Sequence, residues 1–238
     1  MGRYAIRSLT YGQLSRSTYI PEGTCRLSRI GTAIMRSMPL LILTALPFLF
    51  MTAPAPADTL PAKTWFKQQG YVGPAGGQII ACHGYGCVRR MQISVDGAWL
   101  GRARTILQAG QGSPDAERRA LGDVVRSYTA YLAASFGGKP DIPGSPPQMS
   151  GVYGQMDCLD ETTNTTSLLL VLQDQGLLAH HVVEYPESRG FFLDGRYPHF
   201  TAVIAEKRTG TEWAVDPWKK APGQRPDILP LTKWRQDS

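Results

Sequence analysis

The feature that most constrains this fold is a helix that must lie inside the protein. The segment from Asp160 to Gln175 predicts a helix that ends at Gly176, and it contains the uninterrupted apolar run Leu168–Leu172. Because such a run places apolar side chains all round a helix, no side of it can face water favourably. We therefore expect the other elements to cover this helix at the centre of the fold.

The chain before that helix predicts further elements. Ser113 suits an N-cap and Pro114 the first helical position, and Gly137-Gly138 ends the helix that they begin. Its apolar residues recur at helical spacing and predict one buried face: Ala120, Leu121, Val124, Val125, Tyr128, Tyr131 and Leu132. Further upstream, we expect a helical turn at Lys63–Gln69, a strand at Met91–Val95, a turn at Asp96-Gly97, and a helix or a strand at Trp99–Ala109.

Segments rich in β-forming residues follow the apolar helix. They are Leu177–Tyr185, Phe200–Glu206 and Trp213–Val215, and the last two predict a hairpin that turns across Lys207–Thr211. Helices therefore come first and an antiparallel sheet comes last, which is typical of an α+β fold. We predict a single domain over residues 58–238, in which the apolar helix packs on the antiparallel sheet.

The first 57 residues resemble an export signal. A positive start at Met35–Met38 precedes the apolar stretch Pro39–Met51, and Ala55-Pro56-Ala57 is a small-residue cleavage site. The stretch has 13 residues, whereas a membrane span needs about 20. We predict cleavage after Ala57, a periplasmic or secreted protein, and no stable membrane anchor. Residues 1–34 are either a long leader start or lie upstream of a true start at Met35 or Met38, which we favour.

The charge of the chain comes mostly from this leader. The whole chain has a net charge of +6, and residues 1–57 hold six Arg and one Glu. Residues 58–238 are left with 19 basic and 18 acidic side chains. This balance gives no electrostatic case for a nucleic-acid partner and no polybasic patch for a membrane surface.

The cysteine count points to one reactive thiol. Cys25 lies in the leader, so an exported protein keeps Cys82, Cys87 and Cys158. Cys82 and Cys87 flank a Gly-rich turn, and we expect them to form a disulfide in an oxidising compartment. Cys158 is then left over as a candidate reactive thiol. The alternative is that Cys158 serves only as a small buried apolar residue.

The position of Cys158 favours the reactive reading. It lies at the entrance to the apolar helix, where the helix dipole and free N–H groups favour a thiolate and lower the thiol pKa. The carboxylates of Asp157, Asp160 and Glu161 oppose that effect, so a cation is needed nearby. His199 follows Pro198 at the start of a strand, where its protonated ring can supply one.

Two further groups complete a candidate site. Asp216 comes 17 residues after His199, and a hairpin turning near Arg208 places the two opposite each other to within a residue. Such a carboxylate orients the imidazole, as the third member of a catalytic triad does. The side chain of Gln155 and the backbone N–H of Cys158 are candidate donors to an oxyanion.

Three motifs resemble those of the transglutaminase-like superfamily of papain-fold cysteine enzymes. They are Gln155-Met156-Asp157-Cys158 before a helix that ends in Gly and two Leu, Pro198-His199-Phe200-Thr201-Ala202-Val203, and Trp213-Ala214-Val215-Asp216-Pro217-Trp218. The resemblance implies a papain/transglutaminase-like fold with Cys158 as nucleophile, His199 as base and Asp216 as orienting acid. It also implies bacterial relatives that act as proteases, amidases or transglutaminases, some no longer catalytic. Thr201 stands where the family often has Trp.

These residues predict an exported cysteine-dependent acyl-transfer enzyme. Its reaction would be hydrolysis of a peptide or amide bond through a thioester on Cys158, with a peptide or protein as substrate. The alternatives are a transglutaminase and a non-catalytic envelope module that binds peptides in the same groove. We predict no metal or cofactor, because His180 and His181 are adjacent on a strand and point to opposite faces.

Overall fold

The helix α4, Cys158–Asp174, lies at the centre of the fold, as the sequence predicts. The computed structural model describes residues 61–190 and 198–237. Every residue of α4 from Asp160 to Leu172 is buried. The helix packs against strands of two separate sheets. The predicted leader and the cleavage at Ala57 lie outside the described residues.

The other elements surround α4 in an α+β arrangement, which confirms the predicted class. In chain order the elements other than α4 are α1 Lys63–Gln69, β1 Gln78–His83, β2 Arg89–Ser94, α2 Gly97–Ala109, α3 Pro114–Phe136, β3 His181–Arg189, β4 His199–Glu206, β5 Glu212–Asp216, β6 Asp227–Pro230 and α5 Leu231–Gln236, with a 3-10 turn at Pro147–Met149. A four-stranded antiparallel sheet has the order β3-β4-β5-β6, and β1 and β2 form a separate antiparallel pair. None of the described helices is long and apolar enough to cross a membrane.

The hairpin of β4 and β5 has a different register from the predicted one. Ala202 pairs with Val215 and Ala205 with Glu212, so continuing the ladder puts Asp216 opposite Thr201, two residues from His199. Because side chains two residues apart share one face of a strand, His199 and Asp216 still meet, along a diagonal.

One local prediction is wrong, one open choice is decided, and some elements were not predicted. Asp96-Gly97 is not a turn, because the Asp96 side chain accepts a hydrogen bond from the Trp99 backbone N–H and caps α2. The undecided segment Trp99–Ala109 therefore belongs to a helix. The strand β1 and the pair β6 and α5 were not predicted, because β1 follows a Gly/Pro-rich loop and β6 has only four residues.

A buried carboxylate joins α3 to the start of β3. Glu117 is 0% exposed and accepts hydrogen bonds from the backbone N–H groups of Ala179, His180 and His181. His181 Nδ1 lies 2.8 Å from Glu117 Oε1, and its Nε2 lies 3.2 Å from the Arg118 guanidinium. Since a guanidinium only donates, Nε2 accepts and Nδ1 donates. Both ring nitrogens of His181 are thus used within the fold.

Candidate active site

Cys158 is the first residue of α4 and carries a free thiol. The preceding residue, Asp157, is the N-cap, and its side chain forms a capping box with Asp160. The Cys158 residue is 8% exposed. Burial, together with the nearby carboxylates of Asp157, Glu161 and Asp216, raises the pKa of its thiol to about 12, although a hydrogen bond from the backbone N–H of Phe200 acts to lower it.

This direction corrects the expected lowering of the Cys158 pKa. The thiol is buried among carboxyl groups, and these effects outweigh the position at a helix N-terminus. A Cys158 thiolate in this site therefore needs a partner that takes its proton and keeps the resulting positive charge beside it.

His199 and Asp216 form a buried pair. His199 Nε2 lies 2.7 Å from Asp216 Oδ2, and the imidazole packs at 4.1 Å, centroid to centroid, against the ring of Trp218. The other ring nitrogen, Nδ1, is buried and has no hydrogen-bond partner among the described residues. With its proton on Nε2, the ring therefore holds a lone pair on Nδ1 that is available to act as a base.

Asp216 is held by three donors. Oδ2 accepts from His199 and, at 2.8 Å, from the indole N–H of Trp234, while Oδ1 accepts from the backbone N–H of Trp218 at 3.1 Å. Burial acts to raise the pKa of this carboxyl, but the hydrogen bonds from His199, Trp234 and Trp218 lower it below the ordinary value. Asp216 is therefore a carboxylate at neutral pH, as an orienting group must be.

His199 and Asp216 of the predicted triad are in contact, and Cys158 lies near them where α4 meets β4 and β5, but among the described residues no hydrogen bond joins the Cys158 thiol to His199. The Phe200 backbone N–H acts on the Cys158 thiol, and Asp216 is close enough for its charge to affect the thiol pKa. Phe200 directly follows His199 in β4. The arrangement therefore gathers a thiol, an imidazole and a carboxylate, the groups used in covalent acyl transfer.

Gln155 has a different place from the predicted oxyanion donor. It is 0% exposed, and its Oε1 accepts from the Ile142 backbone N–H at 3.0 Å. Its Nε2 donates to the carbonyls of Pro140 at 3.0 Å and Lys139 at 3.4 Å. Because both amide hydrogens are used, Gln155 anchors the loop before α4.

The other predicted oxyanion donor is the backbone N–H of Cys158. It lies in the first turn of α4, where helical N–H groups have no intrahelical acceptor.

The predicted disulfide between Cys82 and Cys87 is confirmed. The loop it closes lies on the capping carboxylates of α4: the N–H groups of Tyr85 and Cys87 donate to Asp160, and that of Gly86 donates to Asp157. The two sulfurs and Asp160 are close enough to suggest a metal site. They do not fit one, because the sulfurs are bonded to each other and the Asp160 oxygens already accept backbone N–H groups.

Carboxyl groups with raised pKa values surround the first turn of α4. Burial raises the pKa values of Asp141 and Asp160 to about 7. Glu161 is buried one turn after Cys158, and burial together with the nearby carboxylates raises its pKa well above the ordinary value. Its Oε2 and the hydroxyl of Tyr128 have no partner in the described protein. Both residues line a small cavity with a volume of about 10 Å³.

Two tryptophans at the site were not assigned roles from the sequence. Trp218 lies within one of the quoted motifs, two residues after Asp216, and this proximity is a usable signal. Trp234 has no comparable signal, because only the docking of α5 brings it to Asp216.

Comparison of the chain with protein-family models, with curated proteins and with solved structures gave no match.

Proposed function

We propose that this protein is an exported cysteine-dependent acyl-transfer enzyme that hydrolyses a peptide or amide bond through a thioester on Cys158. One observation carries the proposal: the buried pair of His199 and Asp216 at 2.7 Å leaves Nδ1 without a partner among the described residues, and the backbone N–H of Phe200, the next residue, bonds the free thiol of Cys158. Such an imidazole has the free lone pair that a general base requires. The Cys82–Cys87 disulfide supports export, because such bonds persist in oxidising compartments.

The reaction would use each group in turn. His199 Nδ1 takes the proton of Cys158, and the sulfur attacks the substrate carbonyl carbon. The Cys158 backbone N–H donates to the oxyanion of the tetrahedral intermediate. The C–N bond then breaks, the amine takes the proton from the imidazolium, and a thioester remains. His199 next deprotonates a water, which attacks the thioester and releases the acid while Cys158 regains a proton.

The pKa of the thiol makes His199 indispensable to this proposal. With a pKa of about 12, an isolated thiol is ionised at pH 7 to about one part in 10⁵. Transfer of the proton to His199 produces an ion pair instead, whose positive charge offsets the surrounding carboxylates. A thiol in this place without an adjacent base would be inert.

Two other activities use the same residues. A transglutaminase differs only in the acceptor, since an amine then attacks the thioester in place of water. A peptide-binding module of the same fold has no chemical need for an oriented imidazole. The three donors that hold Asp216 therefore favour an enzyme over a binding module.

The test is alkylation of Cys158 by a small electrophile such as iodoacetamide at pH 7, followed by mass spectrometry. We expect labelling of the wild-type protein and a decrease of about 100-fold in rate for His199→Ala, the scale of a lost general base. His180→Ala is the matched control, because among the described residues its exposed ring forms a hydrogen bond only with the Gln111 carbonyl. Equal rates for wild type and His199→Ala would overturn the proposal and leave the binding module.

A further inference from the structure

We infer that Trp234 is a positioning residue of this site, acting on His199 through Asp216. The inference rests on the proposed function and extends it to α5, an element outside the three motifs. Its basis is the hydrogen bond of 2.8 Å between the Trp234 indole N–H and Asp216 Oδ2, the same oxygen that accepts a hydrogen bond from His199. One carboxylate oxygen therefore serves two donors from two different elements.

The ring of Trp234 is fixed from several sides. It is 1% exposed and packs with a small apolar cluster that includes Val203, Ala214 and Leu231. The Arg189 guanidinium lies 4.6 Å from its ring centroid and donates to its backbone carbonyl at 2.7 Å. The indole N–H consequently points at Asp216 without the freedom to turn away.

A second contact ties the same ring to His199. The centroids of the Trp234 and His199 rings lie 5.5 Å apart, and Trp218 covers the imidazole at 4.1 Å. The imidazole is therefore held between two indoles and one carboxylate. Trp234 therefore makes two contributions: its ring packs against the His199 imidazole, and its N–H donates to Asp216, the carboxylate that orients the imidazole.

The indole N–H has a property that the other side-chain donor to Asp216 lacks. The indole N–H does not ionise near neutral pH and cannot accept a hydrogen bond. Its hydrogen bond to Asp216 Oδ2 therefore persists through each transfer of a proton to and from His199. Asp216 is thus kept ionised and in place while the imidazole cycles. The charge of Asp216 in turn raises the pKa values of Cys158 and Glu161, which face it from α4.

The test is Trp234→Phe, which keeps an aromatic ring and removes the N–H. Trp65→Phe is the matched control, because Trp65 is equally buried and its N–H bonds Thr163 of α4 at 3.2 Å. We expect the alkylation rate of Cys158 at pH 7 to fall about tenfold in Trp234→Phe only, as for loss of one bond to a charged group. The acid limb of its pH profile should also move to higher pH, because Asp216 is then protonated more easily.

The outcomes separate this inference from the proposed function. If His199→Ala slows alkylation but Trp234→Phe has the rate and pH profile of Trp65→Phe, the function stands and the inference fails. If His199→Ala has no effect, both fail.

A measurement on the wild-type protein covers the case in which Trp234→Phe does not fold. In a spectrum of the five indole N–H groups, the Trp234 signal should move as His199 titrates, and the Trp65 signal should not. A Trp234 signal that stays constant across that titration would contradict the inference.

Discussion

At the scale of single residues, Glu161 is the side chain whose position is hardest to reconcile with stability. Its carboxyl is buried near four other acidic groups, Asp141, Asp216, Asp160 and Asp157, and one of its oxygens has no partner in the described protein. An ionised carboxylate there would be costly. Burial and these neighbours raise the pKa of Glu161 well above its ordinary value and so favour the neutral form, whereas the ionised form raises the pKa of the neighbouring Cys158 thiol.

Glu161→Gln should therefore change how stability depends on pH. Because the folded-state pKa of Glu161 is raised, ionisation favours the unfolded state once the pH exceeds the unfolded value of about 4.3. The free energy of unfolding of the variant, relative to wild type, should rise with pH from that point upward. Urea denaturation at a series of pH values measures the difference. Two parallel curves would show that Glu161 does not titrate as described.

At the scale of elements, the disulfide loop organises the start of α4. Residues 84–87 all have positive φ, including the non-glycine residues Tyr85 at 69° and Cys87 at 56°. A left-handed conformation costs such residues about 1 kcal/mol or more each. In return, three backbone N–H groups face Asp157 and Asp160. The loop thus satisfies the capping carboxylates on either side of Cys158.

Removing the disulfide with the double variant Cys82→Ala and Cys87→Ala should loosen this loop. For so short a loop we expect a loss of about 2 kcal/mol in the free energy of unfolding. The alkylation rate of Cys158 should also change, since Asp157 and Asp160 lose their donors. Thermal denaturation with and without reductant provides the control, because reductant should lower the melting temperature of wild type only. An unchanged melting temperature in the variant would contradict this account.

The elements show where sequence reasoning succeeds and where it stops. The helix after Ser113 was predicted with its N-cap, because capping and apolar spacing are local properties. The buried helix α4 was predicted from its apolar run, although it starts at Cys158 and not at Asp160. The register of β4 with β5 was missed by two residues, because it depends on the conformation of the turn. Gln155 was misassigned because its partners, Lys139, Pro140 and Ile142, are set by loop packing.

At the scale of the whole molecule, Glu117 links the helices to the sheet. It accepts three backbone N–H groups at the entrance to β3 and bonds His181. Burial acts to raise its pKa, but the hydrogen bonds from His181, His180 and Ala179 lower it below the ordinary value. The charge of Glu117 is thus part of the folded state, in contrast to that of Glu161.

Glu117→Gln should destabilise the protein by about 3 kcal/mol at pH 7, as for other broken buried pairs. Because the folded-state pKa of Glu117 is lowered, its contribution is present above the unfolded value of about 4.3 and is lost as the pH falls. The two proteins should therefore converge in stability in acid. Asp115→Asn, on the exposed side of the same helix, is the control and should cost less than about 0.5 kcal/mol. Equal losses in both variants would refute the assignment.

The bond from α5 to Asp216 also bears on biosynthesis. A nascent chain that stops at Asp216 already contains Cys158 and His199, but Trp234 lies 18 residues further on. At about 5–20 residues per second, ribosomes add these residues one to four seconds later. We expect a chain interrupted in that interval to hold its imidazole loosely. Under the proposed function, such a truncated chain would contain Cys158, His199 and Asp216 but lack the indole donor that holds Asp216.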